Sequence, residues 1–250
     1  MSAPRPLAPH SEKPKLLAPL WHTIVLILFV LATAYYQSHN RIENHQVTHR
    51  VALYCFMICF EWFLFAFVWF LGIRPTERKL SEVIGGRWAT AKDVWRDIGA
   101  ALVFWLIVAA FLLLSGLTLG QNPQMNKVLQ VIMPRSAIEM VVWVLMSISA
   151  GFCEEFVFRG YLQKQFLALT GSNAAAIAAQ ALLFGVAHLY QGVKGLLIVS
   201  GYGALFGILA VVRKSLRPGM IQHLLQDSFA GIGVSLLAKH LSNPRSISFY

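Results

Sequence analysis

Seven apolar runs, each near the length that crosses a bilayer, recur along a chain of 250 residues and leave little choice of architecture. They cover 16–36, 51–71, 98–119, 137–158, 174–190, 196–212 and 220–238. About 20 apolar residues in helical form span the hydrocarbon layer. Inside it only helices or closed barrels satisfy their own backbone polar groups. The fourth run has no clear stop. Helical character continues through Tyr161, Leu162, Phe166 and Leu167 to Gly171, which leaves room for an eighth helix. The expected fold class is all-α: a polytopic integral membrane protein with about seven transmembrane helices, or eight. A charged content of 13% agrees, since soluble domains carry roughly 25%.

The chain divides into a disordered lead over 1–15 with four prolines, a three-span region over 16–135, a helical core over 136–240 and a tail over 241–250. The run after Lys15 is too long for a signal-peptide core and reads as a retained span. With the N-terminus inside, the inner segments hold 14 Lys and Arg residues and the outer segments 7. That bias predicts a cytoplasmic N-terminus in a cell (inner) membrane, with the basic loop 74–97 along the anionic surface. The net charge of +10 resides mostly in these short loops. It therefore reads as an orientation signal, and nucleic acid is not an expected partner. Cys55, Cys59 and Cys153 complete no zinc pattern and read as small buried hydrophobes. Gly203 and Gly207, with Gly201 nearby, give the sixth span a small-residue face for close packing.

Ionisable groups are costly in hydrocarbon, so a cluster of them in the later spans marks a site. Glu155 and Arg159 are four apart, acid first, the favourable order for an ion pair on one helix face. Glu154 points about 100° away and has no local partner, which suits it to act as a base. His188 lies as far after Gly171 as Glu154 lies before it. A hairpin turning at Gly171, with Ser172 and Asn173 starting the next helix, therefore brings the two to equal depth. A carboxylate beside an imidazole can hold and deprotonate water. Phe184 lies four residues before His188, and His223 lies four before Asp227. A hydrogen-bond donor at His223 could stabilise an oxyanion, with Asp227 orienting it.

The segments Glu154-Glu155-Phe156-Val157-Phe158-Arg159, Phe184 to His188 and His223 to Asp227 resemble the EExxxR, FxxxH and HxxxN/D motifs of the CAAX-protease and bacteriocin-processing (CPBP, or Abi) family, which includes the Rce1-like prenyl-protein proteases. The resemblance covers about 137–238 and none of the first three spans. It implies an intramembrane endopeptidase with its cavity open toward the cytosol. Glu154 and His188 would activate water, His223 with Asp227 would stabilise the oxyanion, and Glu155, Arg159 and Phe184 would support the site. Many relatives carry Asn where this chain has Asp227. An ionised Asp only accepts hydrogen bonds, so Asp227 must be protonated or act through His223. The implied substrate is a membrane-associated peptide or lipidated protein, with the lipid bilayer as the other partner.

Plainer readings stand beside these. Glu155 with Arg159 is a structural pair in its own right, and His188 beside Tyr190 or His223 near the basic loop would singly pass as interfacial residues. Glu61, mid-span, has no visible partner and no assigned role, while His39, His45 and His49 are expected to be solvated. Glu154, His188 and His223 also match a catalytic zinc's ligand set. No cofactor is favoured and zinc is the alternative, because no HExxH-type helix is present. A non-enzymatic transporter or immunity-type binder is the different-class alternative, although the inverted repeats common in transporters are absent. His223 lies close to an inner loop and His188 far from one. They meet only if the hairpin at Gly171 projects into the cytosol, as polar Arg159, Gln163, Lys164 and Gln165 favour, or if the fifth helix ends mid-membrane.

Overall fold

The computed structural model describes residues 15–40 and 49–241, and every regular element among them is helical. The expected lead over 1–15 and tail over 241–250 lie outside the described residues, apart from Lys15 and Leu241, as does His45. The protein is an all-α polytopic membrane protein. Among the described residues five helices are long and apolar enough to cross a membrane. They are α1 (Leu20–His39), α2 (Arg50–Ala66) with its extension to Thr76, α4 (Ala91–Leu119), α6 (Ala137–Glu154) with its extension to Thr170, and α9 (Gly192–Arg213) with the turn before it. Three short helices intervene: α3 (Leu80–Ile84), α5 (Pro123–Ile132) and α7 (Gln163–Thr170), the last being the end of the long α6 segment. Helix α8 (Asn173–Ala187) has only 15 residues, and the polar-interrupted α10 (Arg217–Leu241) has 25.

Helix ends follow local chemistry. Thr90 and Asp93 form a capping box on α4, as Ser136 and Glu139 do on α6. The predicted hairpin is present: Gly171 takes a left-handed φ of 69° at the end of α7, and the Ser172 side chain caps α8. Between α6 and α7 the backbone widens into a π-helical stretch, Glu155–Leu162, whose eight residues are all buried. A second π-helical stretch, Phe67–Ile73, prolongs α2.

Small residues set the closest approaches. A Cβ on Gly185 of α8 would lie 2.6 Å from the Leu196 carbonyl of α9, so only glycine fits there. The small face of α9 also receives polar groups: Arg159 and Gln180 donate to the Gly203 carbonyl at 3.2 and 3.0 Å, and Gln163 donates to that of Gly207 at 3.1 Å. Gly201 faces Phe111 of α4.

Buried polar contacts pin the helices in register. The His22 ring of α1 meets the Tyr161 hydroxyl at 2.8 Å and the Phe67 carbonyl at 3.2 Å. Gln165 donates to Thr23 at 2.7 Å and accepts from the Leu17 amide at 2.6 Å. Arg159, Gln163 and Gln165 are thus internal, not solvated on a projecting hairpin as expected. Even Lys164 donates to the Val83 carbonyl at 2.8 Å. At the basic end, buried Asp97 accepts from Arg217 at 2.8 Å, Arg213 at 3.2 Å and Trp88 at 2.9 Å, tying the loop before α4 to the α9–α10 turn. The cysteine reading needs correction. Only Cys153 is buried, while Cys55 and Cys59 face outward from α2, where lipid supplies the apolar surroundings that sequence alone reads as core. His39, exposed as expected, is the last residue of α1 and bonds the Tyr35 carbonyl.

Candidate active site

His223, on α10, stands where three carboxylates converge. Its Nδ1 lies 3.2 Å from Glu155 Oε1, and its Nε2 lies 3.7 Å from Glu154 Oε2 and 3.6 Å from Asp227 Oδ2. The same Glu155 oxygen accepts from Arg159 at 2.9 Å, with both side chains essentially fully buried. A carboxylate receiving from a guanidinium is an acceptor, so the proton between Glu155 and His223 belongs to Nδ1. Nε2 then donates toward Glu154, Asp227 or a substrate only when the ring is an imidazolium. Phe206, Tyr202 and Phe184 wall the ring at centroid distances of 5.5, 5.9 and 6.5 Å.

Phe184 joins the two halves of the site. Its ring lies 4.3 Å beneath the Arg159 guanidinium and 4.7 Å from the His188 ring. A cation over an aromatic face gains about 2 kcal/mol or more where water is excluded. His188 is the C-cap of α8, and its Nδ1 lies 2.9 Å from the Phe184 carbonyl. A carbonyl only accepts, so Nδ1 carries the proton and Nε2 is the basic nitrogen of the neutral ring. Helix α8 therefore ends within the packed protein, and that is how His188 and His223 come to share one site. The earlier expectation of a projecting hairpin is not needed.

Glu154, His188, Cys153 and Tyr190 line a cavity of about 650 Å³. Among the described residues no ion pair joins Glu154 directly to His188. Their common neighbour is the cavity, so a small molecule or substrate atom between them is what they can act on. Glu154, without a local partner on its own helix, is approached by His223 from α10. Glu155 likewise serves two partners, Arg159 and His223. Asp227, about one-third exposed, approaches the His223 ring, as required if it acts through that residue.

Two parts of the site escaped the sequence reading. The first is Glu61, 8% exposed on α2, which lines the same cavity with its Oε2 unpartnered. A lone acid amid an apolar run was the available signal, but its partners lie in other helices. The second is much of the remaining wall, from Phe29 of α1 to its cap Asn40 and from Leu53 to Leu64 of α2, with Val128 and Ile132 of α5. Among the described residues no group of three or more His, Cys, Asp or Glu side chains has the arrangement to hold a metal ion. Glu154, His188 and His223 do not make up such a group.

Residues 136–229 match the family model for Rce1-like proteins, the type II CAAX prenyl endopeptidases. This segment of the chain is similar to the Rce1-like CAAX protease family. The matched segment begins at the N-cap of α6 and ends within α10, so it contains all seven motif residues. It leaves out Glu61 and the α1–α2 wall, which come from the N-terminal region. No curated protein and no solved structure matches the chain.

Proposed function

We propose that this protein is an intramembrane endopeptidase that hydrolyses a peptide bond of a membrane-associated peptide or protein, without a metal. Water held between Glu154 and the basic Nε2 of His188 loses a proton to Glu154 as its oxygen attacks the peptide carbonyl carbon. The resulting oxyanion accepts a hydrogen bond from Nε2–H of His223, whose protonated ring is held by Glu155 and, in part, by Asp227. Glu154 then passes its proton to the departing amine as the C–N bond breaks. Arg159 and Phe184 keep Glu155 and His188 in place. The observation that carries this reading is the single cavity onto which Glu154 and His188 both open, with His223 3.7 Å from Glu154.

The purified protein in detergent should cleave members of a peptide library, prenylated CAAX peptides included. Glu154→Ala and His188→Ala should each lose roughly 100- to 10,000-fold in turnover, the usual worth of acid–base catalysis. Equal turnover in all three proteins would sink the mechanism. Absence of turnover in the wild type on every peptide would instead favour a binding or transport role. Strong chelation is expected to leave activity unchanged; loss on chelation with recovery on zinc would replace the metal-free scheme.

A further inference from the structure

Glu61 is the one acid in α2, set among Phe60, Trp62 and Phe63. Aromatic contacts fix where it stands relative to Glu154. Tyr54 meets the Trp143 ring at 5.4 Å, Trp62 donates to Ser149 at 3.0 Å and stacks on Phe152 at 5.6 Å, and Phe65 lies 4.8 Å from Phe156. These contacts ascend together along both helices, so α2 and α6 run parallel here. Glu61 therefore comes level with the turn of α6 from Ser149 to Phe152. Glu154 lies two to five residues further on, roughly 3–8 Å along the axis. Both carboxyl groups line the same cavity. An extended peptide advances about 3.3 Å per residue. A substrate side chain that meets Glu61 thus belongs to a residue one or two positions from the bond that Glu154 serves.

We propose that Glu61 is a specificity-determining residue, and that the preferred substrate carries a lysine or arginine one or two residues from the cleaved bond; this rests on the endopeptidase reading. Glu61 is 8% exposed, and its Oε2 has no hydrogen-bond partner among the described residues. No described Lys or Arg lines the cavity to neutralise it, and Phe56, Met57, Phe60, Leu64, Val128 and Val157 make much of the wall apolar. A buried charge is costly unless it is paired and hydrogen-bonded. An apolar substrate side chain would leave Glu61 as it is. An acidic one would be repelled by Glu61 and Glu154 alike. A basic side chain supplies the missing partner, its ammonium or guanidinium donating to the carboxylate. The methylene stem of such a side chain also suits the apolar wall. Glu61 lies outside residues 136–229, so this selectivity belongs to the N-terminal region and not to the motif helices.

Internally quenched peptides test this with the full-length protein in detergent. A library peptide that the wild type cleaves is remade with one lysine placed in turn at each position around the scissile bond. Norleucine in the same places gives the uncharged match. One or two positions from the bond, lysine is expected to raise kcat/KM over norleucine roughly 10- to 100-fold, the scale of a desolvated charge pair. In Glu61→Gln that ratio should fall close to one. Glu61→Asp, the control against a general loss of fold, should keep part of it, and Glu61→Lys should prefer glutamate at the same position. A wild type indifferent to lysine would overturn the proposal while leaving the endopeptidase reading intact. So would a ratio that survives in Glu61→Gln, since Glu154 would then be what attracts the cation. Absence of cleavage of every peptide by the wild type would remove the endopeptidase reading and this inference with it.

Discussion

A buried carboxyl oxygen without a partner forgoes its water and gains nothing in return, at a cost of about 1–3 kcal/mol. Glu61 is in that position, beside Glu154 in an apolar cavity. Glu61→Leu is therefore expected to raise the thermal midpoint in detergent while lowering turnover, since the carboxyl's partner is whatever enters the cavity. A lower midpoint with unchanged kcat would show an ordinary structural acid. Arg159 makes the opposite prediction. Its guanidinium bonds Glu155 and Gly203 and lies over Phe184. Arg159→Leu leaves Glu155 as an uncompensated buried charge, which costs about 3–5 kcal/mol. Loss of the folded protein peak on size exclusion is the expected result, with Arg159→Lys intermediate because it lacks the bidentate fork.

Helix contacts set how far each motif could be read. The pair Glu155–Arg159 was legible because one helix contains both residues, and the hairpin because Gly171 and Ser172 announce a stop and a start. The tie between Glu155 and His223 was not, since it joins α6 to α10 across 68 positions. The widened π-helical turn from Glu155 to Leu162 also lies beyond period counting, which assumes uniform helix geometry. Close packing of α8 on α9 yields a test with its own control. Gly185→Ala should destabilise by about 1–3 kcal/mol through overpacking, read as a lower midpoint in thermal unfolding. Gly99→Ala, in the middle of α4 with open space around it, should be neutral or stabilising by about 0.5–1 kcal/mol. Equal effects would mean that the α8–α9 approach does not depend on glycine.

For the whole molecule, the N-terminal region packs against the segment that carries the motifs. Helix α2 packs along α6, and Trp62 donates to Ser149 at 3.0 Å. A fragment beginning at Arg135 keeps every motif residue but loses the α1–α2 wall and the hydrogen bonds of His22 and Thr23 to Tyr161 and Gln165. It is expected to be inactive even if it inserts into membranes, as a cleavage assay on vesicles would show. Full activity in the fragment would return the catalytic site to the family segment alone.

The sequence by itself determined the class of protein and drew attention to its clustered ionisable residues. Apolar length demands helices in a bilayer, and ionisable residues placed there at i,i+4 spacing point to a site. Tertiary structure alone decided how those residues share their partners. Glu155 serves both Arg159 and His223, Glu154 meets His223 as well as the cavity, and Glu61 joins from a helix outside the motifs. Only the fold, too, shows that polar Arg159, Gln163 and Gln165 face inward. The physical reason is the same in each case. Helical periodicity fixes neighbours within one element, whereas a buried polar group in hydrocarbon must find its partner in whichever helix packing brings beside it.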